Sequence, residues 1–204
     1  MGFRVITIAR ILGAGGEEIG RLVAGELKFG YIDREIVVQA AEKADVSPET
    51  IERVERTPGL MDRILRSIAA AGFTEGTLAT PALTTPIPYE AFISRVIHEI
   101  AEAGSVVIVA HGAGIALAGM SGLLRAFVTA PVSVRAARFA QEAKLDQKRA
   151  AKAVRESDRQ RREYLHRFYD VRGEQPMHYD LVLNTESLST ATAAKLVVTA
   201  ARAS

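Results

Sequence analysis

The sequence predicts an α/β fold in which a parallel sheet is covered by helices on both faces. Five short apolar runs, Arg4–Ala9, Tyr31–Asp33, Val106–Ala110, Arg125–Thr129 and Tyr179–Asn184, read as strands. Between them lie stretches with apolar residues at helical spacing, so that strands and helices alternate, as a parallel sheet requires. At the first strand–helix junction stands Gly13-Ala14-Gly15-Gly16, a turn with almost no side chains.

That junction carries the first chemical signal. Glycines let backbone approach a ligand closely, and the free N–H groups of a first helical turn, reinforced by the helix dipole, point at phosphate oxygens. The helix begins at Glu17, and Ile19, Leu22, Val23 and Leu27 fall on one face. Two motifs compete for the loop. The dinucleotide fingerprint starts at Gly13 and Gly15 but meets Glu18 where its third glycine belongs, with Asp33 placed as a ribose-binding acid. The P-loop needs lysine and a hydroxyl where Gly16 and Glu17 stand. A tight turn that only packs a helix on a sheet would use the same glycines.

After the short second strand, Ile36, Val37, Ala40 and Ala41 share a helical face. Ser47-Pro48 then supplies an N-cap with proline in the first turn, and Ile51 to Ile68 form one bent helix or two short ones, ended by Gly72. Residues 73–88 carry Pro81, Pro86 and Pro88 and read as an exposed loop, either a passive linker or a flap beside a site. A helix with Phe92, Ile93, Val96, Ile97 and Ile100 inward leads to the strand at Val106. Ser105 to Leu124 has the length of a membrane span without a Lys, Arg, Asp or Glu, but His111-Gly112-Ala113-Gly114 forces a turn within it, so it is split into strand and turn. Pro131 opens a helix through Ala143, and Ser189 caps the closing helix.

With 204 residues and 48% hydrophobic content the chain can bury one sizeable core, and a single domain over residues 1–204 is expected. The absence of cysteine excludes disulfides and thiolate metal sites and suits the cytoplasm. His98, His166 and His178 lack ligand spacing, so no structural metal is expected. A net charge of +2 is too small to imply nucleic acid, and no membrane association is expected. The His111 turn looks like an esterase oxyanion turn, but no GxSxG accompanies it.

Residues 144–172 hold ten of the 26 lysines and arginines, and Lys148, Lys152, Arg155, Arg159 and Arg162 share one helical face. Such a stripe is a solvated surface, a track for a nucleic-acid backbone, or an arginine lid closing over phosphates. A phosphate loop elsewhere favours the lid.

Together these stretches resemble the cytidylate kinase-like family of P-loop nucleoside monophosphate kinases. The resemblance rests on Ile6-Thr7-Ile8-Ala9-Arg10, Gly13 to Gly20, Tyr31 to Glu35, Val106 to Gly112, Asp158-Arg159-Gln160-Arg161 with Tyr164, Arg167, Phe168 and Tyr169, and Tyr179 to Val182. It implies a P-loop kinase-like three-layer sandwich with a five-stranded parallel sheet. It further implies ATP with Mg²⁺ at Gly13, Ala14, Gly15, Gly16, Glu17 and Glu18. The acceptor, CMP, dCMP or a related nucleoside monophosphate, would lie near Asp33, His111 and Asp158, with Asp158 touching the acceptor or orienting a lid arginine. Arg159 and Arg161 would close as the lid, and Arg10 would stand in for the missing lysine. Asp33 is equally natural as the N-cap of the next helix. The family usually has arginine where Glu17 and His111 stand, so a nucleotide-binding regulatory module that keeps the kinase fold is the alternative expectation. The Ile64 to Ile68 face and the proline-rich loop suit a homo-oligomer as well as a moving flap.

Overall fold

The computed structural model describes residues 2–33, 89–109 and 112–203. The elements in chain order are β1 (Val5–Arg10), α1 (Gly16–Leu27), β2 (Gly30–Asp33), α2 (Tyr89–Ala103), β3 (Val106–Val109), α3 (Ala113–Ala116), β4 (Leu123–Thr129), α4 (Val132–Ala143), α5 (Gln147–Tyr169), a 3₁₀ turn at Pro176–His178, β5 (Leu181–Asn184) and α6 (Thr190–Arg202). The five strands form one sheet in the order β2-β3-β1-β4-β5. Every pairing is parallel, with Val5 opposite Val106 and Leu123, Gly30 opposite Val106, and Ala126 opposite Leu181.

Strands buried on both faces must be apolar at successive positions, and β3 is throughout, as is β1 from Val5 to Ala9 save for the buried Thr7. Ile6, Ile8, Val107, Val109, Leu124, Ala126 and Val128 line the face covered by α1 and α6, where they meet Ile19, Val23, Ala194 and Val197. The intervening Val5, Val106 and Ile108 are also buried, on the opposite face, along with Val96, Ile97 and Ile100 of α2 and Leu117 after α3. The sheet is therefore the middle layer of three.

Leu22 departs from the expected inward face of α1: it is 42% exposed. The buried residues of α1 are Gly16, Ile19, Gly20, Val23 and Ala24. Small residues let the helix axis approach the sheet so closely that a Cβ at Gly20 would lie 2.6 Å from Val109 Cγ2, and that geometry rotates Leu22 outward. Strand edges shift too. β1 extends through Arg10, and β4 starts at Leu123, because Gly122, at φ +74°, turns its carbonyl onto Arg4 and Val5 N–H. β5 starts at Leu181 rather than Tyr179: Asp180 N–H still donates to Arg125 O at 2.8 Å, but the Arg125 backbone N–H and guanidinium are taken by the Asp180 carboxylate, the former at 2.8 Å, instead of by a strand carbonyl. Ser189 caps α6 as expected, accepting from Thr192 N–H. Ser105 to Leu124 divides into β3, a turn, the short α3 and the start of β4; among the described residues no helix is long and apolar enough to cross a membrane. The helices expected between Ile36 and Ile68, the loop at 73–88, and Ala110 and His111 lie outside the described residues.

Glu99 of α2 is an acid held against the core. Burial, partly offset by Arg95 at 3.6 Å, pushes its carboxyl above the ordinary value, and its Oε2 is buried with no hydrogen-bond partner among the described residues. A carboxyl raised in the folded state binds its proton more tightly there than in the unfolded chain. Its contribution is complete below the unfolded pKa and is lost as pH rises through the folded one. Glu99→Gln is therefore expected to raise the thermal midpoint at neutral pH and leave it little changed in acid, as read by melting curves from about pH 4 to pH 7. An unchanged midpoint at neutral pH would contradict the assignment.

Candidate functional site

In this strand order β1 lies at the point where the chain steps first to one side (β3, β2) and then to the other (β4, β5). Ligands of open parallel sheets bind at the carboxyl edge beside such a point. Arg10, Asp33, Val109, Thr129 and Asn184 end the five strands on that edge, and the glycine loop rises from its centre.

The loop's shape is fixed from behind. Gly13 and Gly15 adopt φ +77° and +81°, a left-handed conformation that costs glycine little, and Ala14 N–H bonds Ile11 O at 3.0 Å. The buried Arg135 of α4 donates to Leu12 O at 3.2 Å, and the buried Thr185, just after β5, donates its hydroxyl to Ala14 O at 2.9 Å. Arg138 donates to that same hydroxyl oxygen at 3.0 Å, which leaves the Thr185 proton free to serve Ala14. In a planar trans peptide the N–H points opposite its C=O. With the Leu12 and Ala14 carbonyls turned inward, the Gly13 and Gly15 N–H groups face away from the protein body. Gly16 then opens α1, whose first-turn amides and dipole favour an anion at the same place.

Side chains around the loop are paired. Arg10, the last residue of β1, meets Glu17 of the first helical turn at 2.5 Å, both partly exposed. A Cβ on Gly16 would fall 2.4 Å from Arg10 Cβ and 2.7 Å from its Cγ, so Arg10 occupies the room that a residue-16 side chain would need. Glu18 accepts from the Thr190 hydroxyl at 3.0 Å. Arg10 thus stands beside the glycine loop with its charge met by Glu17.

Asp33 is nearly buried at the end of β2, with Arg21 of α1 at 3.6 Å. The Arg21 guanidinium lies 5.2 Å from the centre of the Tyr31 ring, and burial, reinforced by the Asp33 charge, raises the Tyr31 phenol well above its usual range. These three form one polar cluster on the strand edge away from β4. His111 lies outside the described residues.

Asp158 and the two arginines expected in the lid diverge. The Asp158 carboxylate is gripped by both terminal nitrogens of Arg135, at 3.0 and 2.8 Å, rather than by Arg159 or Arg161. Arg161 forms a two-pronged bond with Glu174 at 2.8 and 2.7 Å, and Tyr179 donates its hydroxyl to the same carboxylate. Arg159 faces solvent and pairs with Glu156 and Glu163, each at 2.6 Å. Residues two apart on an α-helix point roughly 200° apart, so Arg159 and Arg161 cannot share a direction. The stripe Lys148, Lys152, Arg155, Arg159 and Arg162 is exposed throughout. At its far end α5 rests on the turn after β3: a Cβ on Gly112 would lie 3.0 Å from the Tyr169 ring and 3.2 Å from Leu165. The helix therefore reaches from Arg135, behind the glycine loop, to Gly112 at β3.

Arg135, Arg138 and Thr185 are residues that the sequence did not single out. Each lies more than a hundred positions from the loop, and no spacing rule connects them to it. The one available signal was an arginine on the inward side of a helix after β4.

A model of the cytidylate kinase-like family matches residues 5–187. Among solved structures, an uncharacterized protein from Eubacterium ventriosum ATCC 27560 is similar over 98% of this chain and 99% of its own, with 15% identity and a TM-score of 0.66. Shikimate kinase from Acinetobacter baumannii, solved in complex with shikimate, is similar over 96% of this chain and 91% of its own, at 14% identity and a TM-score of 0.50. TT1252 from Thermus thermophilus is similar over 100% of both chains, at 15% identity and a TM-score of 0.50. At these identities the likeness speaks to the fold. No curated protein matches the chain.

Proposed function

We propose that this chain, which belongs to the cytidylate kinase-like family, transfers the γ-phosphoryl group of ATP to a nucleoside monophosphate in the cytoplasm, with CMP or dCMP the first acceptors to try. The observation that carries the reading is the pair of loop carbonyls, Leu12 and Ala14, turned inward by Arg135 and Thr185. That arrangement presents the Gly13 and Gly15 amides as preorganised donors at the end of α1. Donors fixed before the reaction cost no reorganisation when charge develops, which is where phosphoryl transfer gains most of its rate.

In this mechanism the loop amides hold the donor's terminal phosphates, and Arg10 supplies the adjacent cation by turning from Glu17 to a phosphate oxygen. The acceptor sits toward Asp33. An anionic oxygen of its phosphate attacks the γ-phosphorus in line, a new P–O bond forms as the bond to the β-phosphate oxygen breaks, and ADP leaves with the electron pair. No proton need be removed from the attacking oxygen, so no general base is assigned. Mg²⁺ offsets phosphate charge when bound. Glu17, partly exposed in the first helical turn, fits the sparse carboxylate set that a hydrated Mg²⁺ takes beside phosphates.

Acceptor-dependent ADP release across the monophosphates tests the reading; nucleotide binding with no release for any of them would favour a regulatory module. Arg10 and Arg159 are both paired with acids, which is the specific observation behind that second reading. Arg159 is the lid arginine placed to swing, because its partners are exposed side chains on its own helix. Arg159→Ala is expected to cut turnover by about a hundred- to a thousand-fold while ATP binding, read by calorimetry, stays within about threefold. Equal losses in both would remove Arg159 from the lid.

A further inference from the structure

We infer that Arg135 is a positioning residue that ties the shape of the phosphate loop to the placement of α5, so that loop and lid adopt one geometry together. The inference rests on the phosphotransfer reading for its consequence, but its structural basis is independent of it. An arginine has five N–H donors in a rigid planar fork. Four contacts radiate from this one: Nε to Ala130 O at 2.8 Å, Nη1 to Leu12 O at 3.2 Å, and Nη1 and Nη2 to the two Asp158 oxygens at 3.0 and 2.8 Å. The guanidinium thus joins the end of β4, the glycine loop and the lid helix through a single plane.

Three further features make the joint stiff. The Arg135 side chain is 3% exposed and that of Asp158 18%, so water competes poorly for either. The Arg135 backbone also abuts the loop: a Cβ on Gly13 would lie 2.5 Å from Arg135 O. Finally, both Asp158 oxygens are engaged by this one partner. Moving α5 away from the sheet would strip Asp158 from a buried cation and leave its charge uncompensated, which is strongly unfavourable. The cation would then re-aim, and the Leu12 carbonyl it holds would be released, along with the outward direction of the Gly13 amide. A lysine could not reproduce this, since a compact ammonium cannot span three acceptors in one plane. A purely structural salt bridge would stabilise the fold without reporting lid position to the loop.

The test uses the full chain with Asp158→Asn, which keeps shape while removing charge, and Arg135→Lys. ¹⁵N amide spectra follow Gly13 and Gly15, calorimetry follows ADP, and steady-state assays separate kcat from KM. Expected are displaced Gly13 and Gly15 resonances in a folded Asp158→Asn protein, ADP binding weakened about tenfold, and kcat lowered about tenfold or more with the acceptor KM within about threefold. Asp158→Glu, which restores the charge, is expected to recover part of each. Unmoved loop resonances with unchanged ADP affinity in both folded variants would overturn the coupling. If the natural protein releases no ADP with any acceptor but its loop resonances move on Asp158→Asn, the kinase reading fails and the coupling stands.

Discussion

Gly13→Ala is expected to lower the unfolding free energy by about 2–5 kcal/mol and to abolish measurable ADP binding. Two costs combine. A non-glycine residue at φ +77° pays roughly 1–2 kcal/mol for the left-handed backbone. The new methyl also lies 2.5 Å from Arg135 O and 3.0 Å from its Cα. Those are backbone atoms at the start of a helix and cannot swing aside, and overpacking of this kind costs typically 1–3 kcal/mol. The loop must instead retreat from Arg135, which takes the Leu12 carbonyl and the Gly13 amide out of register. Urea unfolding gives the stability loss and calorimetry the binding loss. A variant with natural stability and affinity would show that the loop is not moulded against α4.

Gly16→Lys, which restores the lysine of a standard P-loop, is expected to impair the protein. The Arg10 Cβ and Cγ already fill the space, at 2.4 and 2.7 Å from where the new Cβ must go. Neither is a mobile side-chain end, so β1 or α1 must shift, at roughly 1–3 kcal/mol. Pairing the change with Arg10→Gly removes the clash and is expected to recover much of the lost stability together with ADP binding. Arginine in the strand and lysine in the helix are then alternative occupants of one space, which accounts for a loop with neither lysine nor room for it. A rise in turnover with Gly16→Lys alone would contradict this and mark the natural loop as impaired.

Much of the architecture was legible because its signals are local. Apolar runs and helical spacing disclosed all five strands, and the glycines of the first junction disclosed the loop. Errors arose where packing overrode pattern. Leu22 has the right spacing for the core, yet Gly20 brings α1 so near Val109 that Leu22 turns outward. Tyr179 reads as strand, but stacking on Phe127 and bonding Glu174 hold it outside β5. The site was legible only in outline. Its loop is a contiguous stretch, whereas the residues that aim it, Arg135 and Thr185, arrive from distant elements through single contacts that leave no periodic trace. Arg159 and Arg161 looked like a pair because they are neighbours in sequence, and helix geometry sends one to solvent and the other to Glu174.

Calorimetric titration with a bisubstrate nucleotide, adenosine and cytidine joined through a chain of phosphates, tests most directly the claim that one edge of the sheet holds donor and acceptor side by side. Two adjacent subsites filled by one molecule gain an effective concentration, so binding at least about a hundredfold tighter than ATP or CMP alone is expected. Affinity no greater than that of ATP alone would contradict the account: the glycine loop would then bind a nucleotide with no acceptor site beside it.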